Sequence, residues 1–487
     1  MSTDGSRERQ ERFVERLKQV GLPGLETGTI VIVQSLSYPV SEARKIVGIA
    51  LYDERMMCML LLLRNPGLRI VYVSAMPIDE AVVDYYLSFI PEVTDARERL
   101  ALVSVGHAEP RPLSQKLIED PRALQEIRAA VPDVDDAYIL PFNVTAFETE
   151  LSRVLGIPLY GPELELVALG SKSGSRRIAR RVGVPILPGR EDVRNEAEIL
   201  AAFEHIRSLQ PAAEAAVIKL NNGFSGQGNA IVSLDGFSPP ISDATTVFIA
   251  AEESWPSFIE KIAGEGAVVE ELMRGEEVVS PSVQMRIAPG GDFEVVSTHD
   301  QILGGPDDQV YLGCRFPARS EYREAIQSHA SRVAEALAAE RVIGSFGLDF
   351  VVAPGGDLAD AYMSEINLRL GGTTHPFTMA RLATEGTYDR ATGELVCGGV
   401  PKYYISSDNL KSDTYIGLQP ADVIAVIRAR GLAFDLHSRT GATLHLFGAL
   451  RAHGKLGTVC IANTAEDADI LYREVVAAIG AAATARR

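Results

Sequence analysis

The sequence lacks the features that would assign it to a membrane, a nucleic acid or an oxidising compartment. Its four cysteines (Cys58, Cys314, Cys397 and Cys460) are scattered over 487 residues with neither CxxC nor zinc spacing. Such usage fits reduced thiols in a cytoplasmic protein rather than a disulfide framework. The longest apolar run, residues 56–63, lies between Arg55 and Arg64. A membrane-spanning helix needs ~20 apolar residues, so the run reads as the buried end of a helix. Residues 1–16 are polar and mixed in charge, unlike a signal peptide. Positive charge is also scarce: 47 Lys and Arg against 65 Asp and Glu give a formal net charge of −18. This argues against nucleic acid or an anionic membrane as main partner, but leaves room for a small anion in a local basic pocket. Two phosphate signatures are missing as well. No GxGxxG follows the first strand candidate, and no glycine-rich stretch ends in GKS or GKT, so neither a Rossmann dinucleotide site nor a Walker loop has support.

What is present is an ordinary globular composition, 46% hydrophobic and 23% charged, in a chain long enough for two or three domains. The most informative stretch is Gly347-Leu348-Asp349-Phe350, followed by Glu365-Ile366-Asn367-Leu368-Arg369. Residues 342–352 and 361–370 have strand character and are separated by Pro354-Gly355-Gly356-Asp357 turn chemistry, which predicts an antiparallel pair. Residues two apart on a strand share a face, so Glu365, Asn367 and Arg369 would form one row that Asp349 can face. Two carboxylates and an amide oxygen suit Mg²⁺, which prefers oxygen ligands and shares them with phosphate. Arginine beside them is a planar, permanently charged fork for phosphate or carboxylate. Taken alone, the same row could be a salt-bridged sheet face exposed to water.

Over the first 165 residues, apolar β-type runs at 29–33, 69–73, 100–104 and 137–140 alternate with helical stretches at 41–62, 79–89, 114–130 and 145–155. That rhythm predicts a parallel sheet covered on both faces. Ser171-Lys172-Ser173-Gly174-Ser175 then opens a helix with a lysine in its first turn, a placement that gains if an anion binds there. Ala216-Val217-Ile218-Lys219-Leu220 precedes a loop containing Gly223, Ser225, Gly226 and Gly228, and a second short strand follows. Glycines let backbone N–H groups approach phosphates closely. Ala267-Val268-Val269-Glu270-Glu271-Leu272-Met273 runs into a connector carrying Glu277. A strand edge with acidic residues can offer a purine its backbone donor and acceptor and a ribose diol its carboxylate. In the tail, helices near 420–430 and 465–479, with alanine-rich fraying beyond, flank a strand near 442–447.

In this order the pieces resemble the ATP-grasp superfamily: a lysine, a lysine before a glycine loop, an acidic hinge, Asp, then Glu-x-Asn-x-Arg. Below that level the chain resembles the peptide ligases with a dedicated pre-ATP-grasp domain, typified by the ligase of pheganomycin biosynthesis. Asp84-Tyr85-Tyr86, Leu113-Ser114-Gln115-Lys116-Leu117, Pro141-Phe142-Asn143-Val144-Thr145, Gly170-Ser171-Lys172-Ser173-Gly174-Ser175-Arg176, Gly371-Gly372-Thr373-Thr374-His375-Pro376 and Leu444-His445-Leu446-Phe447-Gly448 carry the closer match. The resemblance implies an α/β fold (α+β towards the C-terminus): a Rossmann-like pre-ATP-grasp domain over 1–162, a central lobe over 163–273, a metal-bearing lobe over 274–400, and a C-terminal extension over 401–487 packed on the ATP-grasp domain. It further implies that Lys172 and Lys219 hold the α- and β-phosphates of ATP, and that the loop from Gly223 to Gly228 closes over them. Glu270 and the backbone around Leu272 and Met273 would meet adenine, and Glu277 the ribose. Asp349, Glu365 and Asn367 would hold Mg²⁺, with Mn²⁺ as a substitute, and Arg369 would act in catalysis with Lys219. Gly347 stands where several relatives carry a basic residue, leaving that work to Arg369 alone or shared with Arg286 or Arg315. His375 is carried as a substrate contact.

The implied activity is ATP-dependent ligation of a small-molecule carboxylate to an amino acid or peptide amine through an acyl phosphate, releasing ADP and phosphate in a peptide natural-product pathway, with a homodimer as the superfamily's suggestion. Alternatives are an ATP-grasp enzyme using a thiol or hydroxyl acceptor, or a non-catalytic ATP-binding regulatory protein.

Overall fold

The computed structural model describes residues 8, 10–15, 27–44, 46–223, 226–275, 278–305, 308–353 and 361–485. Three sheets organise them. The first contains β1 (Gly28–Val33), β2 (Leu68–Ser74), β3 (Leu100–Ser104) and β4 (Ala137–Pro141), all parallel, in the order β3-β2-β1-β4. Alternate residues of β1 enter different cores: Ile30 and Ile32 pack on one side, Val31 and Val33 on the other. A parallel sheet buried on both faces is the outcome expected for apolar strands joined by helical crossovers.

The intervening helices depart from the sequence reading in instructive ways. The single helix expected over 41–62 is a short turn, Val40–Ala43, followed by the 3₁₀ stretch Ile49–Arg64. Gly48, at φ 73°, takes the left-handed conformation that separates them. The helix expected over 114–130 divides into Leu113–Ile118 and Pro121–Ala130. Pro121 cannot continue a preceding helix but suits the first turn of a new one, and the Asp120 side chain caps it by accepting from Arg122 and Ala123 N–H.

The second sheet is antiparallel: β5 (Gly189–Val193), β6 (Ala215–Leu220), β7 (Asn229–Ser233), β8 (Thr246–Phe248) and β9 (Ala267–Glu271), in the order β5-β9-β6-β7-β8. Ile199, Phe203, Trp255, Phe258 and Ile262 from two helices cover one face, meeting Ala216, Ile218 and Leu220 of β6. By alternation the opposite face of β6 carries Val217 and Lys219, and that of β9 carries Glu270.

The third sheet holds β10 (Pro281–Ile287), β11 (Phe293–Gly304), β12 (Val310–Phe316), β13 (Gly344–Val352), β14 (Ala361–Asn367), β15 (Thr387–Asp389), β16 (Glu394–Cys397), β17 (Val400–Lys411), β18 (Gly441–His445) and β19 (Lys455–Ala462). β13 and β14 pair antiparallel with Asp349 opposite Glu365 and Gly347 opposite Asn367, as the motif spacing predicts; the turn at 354–357 lies outside the described residues. β17 hydrogen-bonds to β12, so the C-terminal segment adds strands to the sheet that bears the metal-type row. It also packs on the first domain: Tyr85 Oη accepts from the Leu444 N–H at 2.9 Å, and Tyr86 Oη donates to the Leu444 carbonyl at 3.2 Å. The alanine-rich tail stays helical over Ala465–Ala485 because Val475, Ala478, Ile479 and Ala483 are buried in the shared core. Among the described residues no helix is long and apolar enough to cross a membrane.

The loop after β4 carries Phe142, and the helix Ala146–Leu155 behind it begins with a capping box. Thr145 Oγ1 accepts from the Phe147 N–H at 3.1 Å, and Glu148 Oε2 accepts from the Thr145 N–H at 2.8 Å. Glu148 is fully buried and also accepts from Ser37 Oγ. Thr145→Ala is therefore expected to lower unfolding free energy by about 1–2 kcal/mol, measured as a lower midpoint in urea at unchanged slope; an unchanged midpoint would contradict the role of this cap.

Candidate active site

A cleft of about 970 Å³ lies between the second and third sheets and reaches the first domain. Its size suits a nucleotide together with smaller substrates. Lys172, Lys219, Gly226, Glu270, Leu272, Met273, Asp349, Glu365, Asn367, Arg369 and Arg315 all line it. Ser225 and Glu277 lie outside the described residues, and Gly223 and Gly228 flank the loop, with a Cβ on either meeting the other's Cα at 3.0 and 2.9 Å.

Lys172 is the first residue of the helix Lys172–Arg181, whose N-cap Ser171 accepts from the Gly174 N–H at 3.0 Å. Its Nζ lies 2.8 Å from Glu365 Oε2 and donates to the Gly223 carbonyl at 2.8 Å. Lys219 reaches the cleft from β6, donating to Glu270 Oε1 at 2.7 Å and to Ser364 Oγ at 3.1 Å. These contacts join the second sheet's lobe to the third sheet inside the cleft. Ser364 joins Glu365 on the cleft side, although adjacent strand residues normally face opposite ways, because a bulge interrupts the β13–β14 register between Asp349 and Phe350.

Glu270 is 2% exposed and ties two cations, accepting from Arg176 Nη1 at 2.7 Å as well as from Lys219. Burial alone would raise its pKa, but Lys219 and Arg176 outweigh it and hold the carboxyl below the ordinary range. The adenine contact read for Glu270 is thus joined by a structural one: it fixes Lys219. The Leu272 N–H donates to the Ala215 carbonyl at 3.0 Å, so that donor is committed to the sheet.

Asp349, Glu365 and Asn367 converge. Asn367 Nδ2 donates to Asp349 Oδ2 at 2.9 Å and to Glu365 Oε1 at 3.2 Å, and Gln301 Nε2 donates to Asp349 Oδ1 at 2.8 Å. Burial and the nearby Glu365 charge push the Asp349 carboxyl upward, whereas Lys172, with Lys219 and Arg369, overcomes burial and holds Glu365 low. Two carboxylates in mutual repulsion beside an amide, open to a cleft, form an oxygen donor set that a hard divalent cation would relieve. Among the described residues no cluster of three or more His, Cys, Asp or Glu offers an all-protein metal cage. The two carboxylates fit Mg²⁺, a hard cation that takes oxygen ligands and shares its shell with phosphate oxygens. β14 ends at Asn367, yet Arg369 stays with the row through a tight turn: its N–H donates to the Asn367 carbonyl at 2.7 Å, and its Nη2 to Asn367 Oδ1 at 2.7 Å.

Two residues expected as substrate contacts lie off the cleft wall. Arg286 lies on β10 beyond the cleft lining and is paired with Glu294, its Nε donating at 2.9 Å. His375 is 1% exposed, is absent from the cleft wall, and packs its ring on His445 with centroids 4.1 Å apart. Burial, then His445, drives its pKa well down, so it is a neutral core group. The place of the missing basic residue is also accounted for: a Cβ at Gly347 would stand 2.9 Å from Gln284 Nε2, so that glutamine fills the space. Arg315 does line the cleft, half exposed, with Asp469 at 3.2 Å.

Sequence reasoning missed Arg55, Asp408 and Lys455, which are 6%, 7% and 6% exposed and line the same cleft. The signal available was three charged residues, Asp53-Glu54-Arg55, set directly against the apolar run at 56–63: charge adjoining an apolar run is often buried with it and then needs a partner.

Comparison with known proteins places the chain in a family. A family model described as IQCH-like, ATP-grasp matches residues 242–390, and one described as PGM1 C-terminal domain matches residues 422–475. The chain is 32% identical to an L-propargylglycine–L-glutamate ligase of Streptantibioticus cattleyicolor, covering 91% of this chain and 92% of that protein. It is 22% identical to IQ motif-containing protein H of Danio rerio, over 91% of this chain but 47% of that longer protein. Among solved structures, biotin carboxylase from Campylobacter jejuni in its β,γ-ATP complex superposes with a TM-score of 0.55 at 16% identity, covering 92% of this chain and 90% of that one. The chain belongs to the ATP-grasp superfamily, in the branch of carboxylate–amine ligases that carry a pre-ATP-grasp domain.

Proposed function

We propose that this ligase binds MgATP between its second and third sheets and activates an amino-acid carboxylate as an acyl phosphate. The observation that carries this reading is the convergence of Lys172, Lys219, Asp349, Glu365, Asn367 and Arg369 on one cleft. In the first step a carboxylate oxygen attacks the γ-phosphorus and ADP leaves. In the second an amine nitrogen attacks the acyl carbon, the carbon–oxygen bond to phosphate breaks, phosphate departs, and the amine's proton passes to solvent or phosphate. Lys172 and Lys219 hold phosphate oxygens, for which they exchange their present carboxylate partners. The apolar slot of Leu187, Val217, Leu272, Val279 and Val351 takes the adenine, beside the strand end at Glu271 to Met273. Glu277, at the connector, serves the ribose. Asp349, Glu365 and Asn367 hold Mg²⁺, which supplies neutralisation of the triphosphate. Arg369, held by Asn367 and the Leu370 carbonyl, presents its fork to charge developing on the γ-phosphoryl group. No protein nucleophile is required, because phosphoryl transfer rests on positioning and electrostatics. An amino acid or peptide supplies the amine, in keeping with the glutamate ligase it resembles, and a peptide natural-product pathway is the setting. Among the described residues all four cysteines are free thiols, which accords with work in a reducing cytoplasm.

ATP supplied with pairs of amino acids should yield ADP and phosphate in step with amide product; AMP and pyrophosphate, or product mass showing a thioester or ester, would contradict the reading. Removing magnesium with a chelator should abolish turnover, and its restoration should recover it. Arg369→Ala is expected to lower kcat by roughly 10²–10³-fold, the usual scale for one transition-state donor, with an unchanged melting curve. Near-normal kcat would remove Arg369 from the mechanism.

A further inference from the structure

The far end of the cleft holds charge that nucleotide and metal do not use. Cations and aromatic rings alternate along its wall: Lys455 Nζ lies 5.1 Å from the Tyr52 ring centroid, and Arg55 Cζ lies 5.4 Å from Tyr52 and 5.4 Å from Phe142. Arg369 Cζ lies 5.7 Å from the same Phe142 ring. Phe142 thus joins this cluster to the guanidinium at the reaction centre. Arg55 Nη1 donates to Asp408 Oδ2 at 3.1 Å, while its Nε is buried with no hydrogen-bond partner among the described residues. Lys455 forms no salt bridge among the described residues, and β17 places Lys411, which also lines the cleft, directly across from it. The charged groups facing Lys455 are Asp408, Lys411 and Arg55. Burial depresses its ammonium, Asp408 opposes this, and Lys411 and Arg55 add to it.

Like charges directly opposite one another on paired strands are destabilising, and a buried cation needs a partner. Three cations against one carboxylate, in a chain of net charge −18, leave room for an anionic group. The reacting carboxylate of the acyl donor must lie at the metal row to meet the γ-phosphate, so a second anion site one ring away serves the other substrate.

We propose that this end of the cleft binds the acceptor amino acid by its carboxylate, held by Arg55 and Lys455, with Asp408 fixing the Arg55 fork. The inference rests on the ligase reading. A carboxylate anchored at Arg55 leaves the neighbouring amine free to reach past Phe142 towards Arg369, and an acceptor without that carboxylate loses its anchor. It assigns to the 3₁₀ stretch of the first domain and to β17 and β19 of the C-terminal segment a joint role in selecting the acceptor.

The test compares L-amino acids with their carboxamides as acceptors, using the intact chain and a saturating acyl donor. The free acid is expected to have a KM lower by roughly ten- to a hundredfold, the scale of a charge-assisted contact. Lys455→Gln should collapse that preference, raising KM for the acid while sparing KM for the carboxamide. Equal use of acid and carboxamide by the unaltered protein, or an undiminished preference in Lys455→Gln, would overturn the proposal. Hydroxamate formation from acid, ATP and hydroxylamine needs no amino-acid acceptor. Its absence with every acid counts against the ligase reading, whereas its presence with acceptor kinetics blind to the carboxylate counts against this pocket alone.

Discussion

Two ion pairs in the cleft, one spanning it and one within the second sheet, govern the rest of the structure. Lys172 is held to Glu365 and Lys219 to Glu270, both within 2.8 Å, and each lysine also touches the opposite side through Gly223 or Ser364. Buried cations are tolerable only when compensated. Here the compensation comes from carboxylates that sit where a nucleotide's phosphates and metal would otherwise balance them. The site is thereby pre-assembled: the groups proposed to meet phosphate hold one another in place. Arg176, almost fully buried and bonded to both Glu270 and the Leu187 carbonyl, keeps Glu270, and through it Lys219, from drifting.

The three sheets contribute distinct parts of one chemical machine. The second supplies Lys219 and the strand edge, the third supplies the Asp349, Glu365 and Asn367 row proposed to hold metal and leads into Arg369, and the first brings Phe142, Tyr52 and Arg55 to the far wall. The C-terminal segment binds these together, because β17 extends the third sheet while its helix and the residues around Leu444 enter the first domain's core. The pre-ATP-grasp domain is thus a wall of the cleft as well as a support for it.

Much of this was legible in the sequence because local pattern and local structure coincide. Apolar runs of four or five residues fixed β1 to β4, and the alternation in Glu365-Ile366-Asn367 set the register against Asp349. The misreadings have physical causes. Gly48 and Pro121 break helices that composition alone would continue. His375 follows the metal row in sequence but turns into the core against His445. Arg286 shares a strand with cleft residues, yet finds Glu294 beyond the cleft's end. Arg55, Asp408 and Lys455 come from three distant segments, and only tertiary packing brings them together; no local spacing announces such a cluster.

The central claim is that a carboxylate, not water, takes the γ-phosphoryl group at this site. The direct measurement is the fate of oxygen-18 from a doubly labelled donor carboxylate. The account predicts one labelled oxygen in the released inorganic phosphate and one retained in the amide. Unlabelled phosphate accompanying amide formation would contradict it.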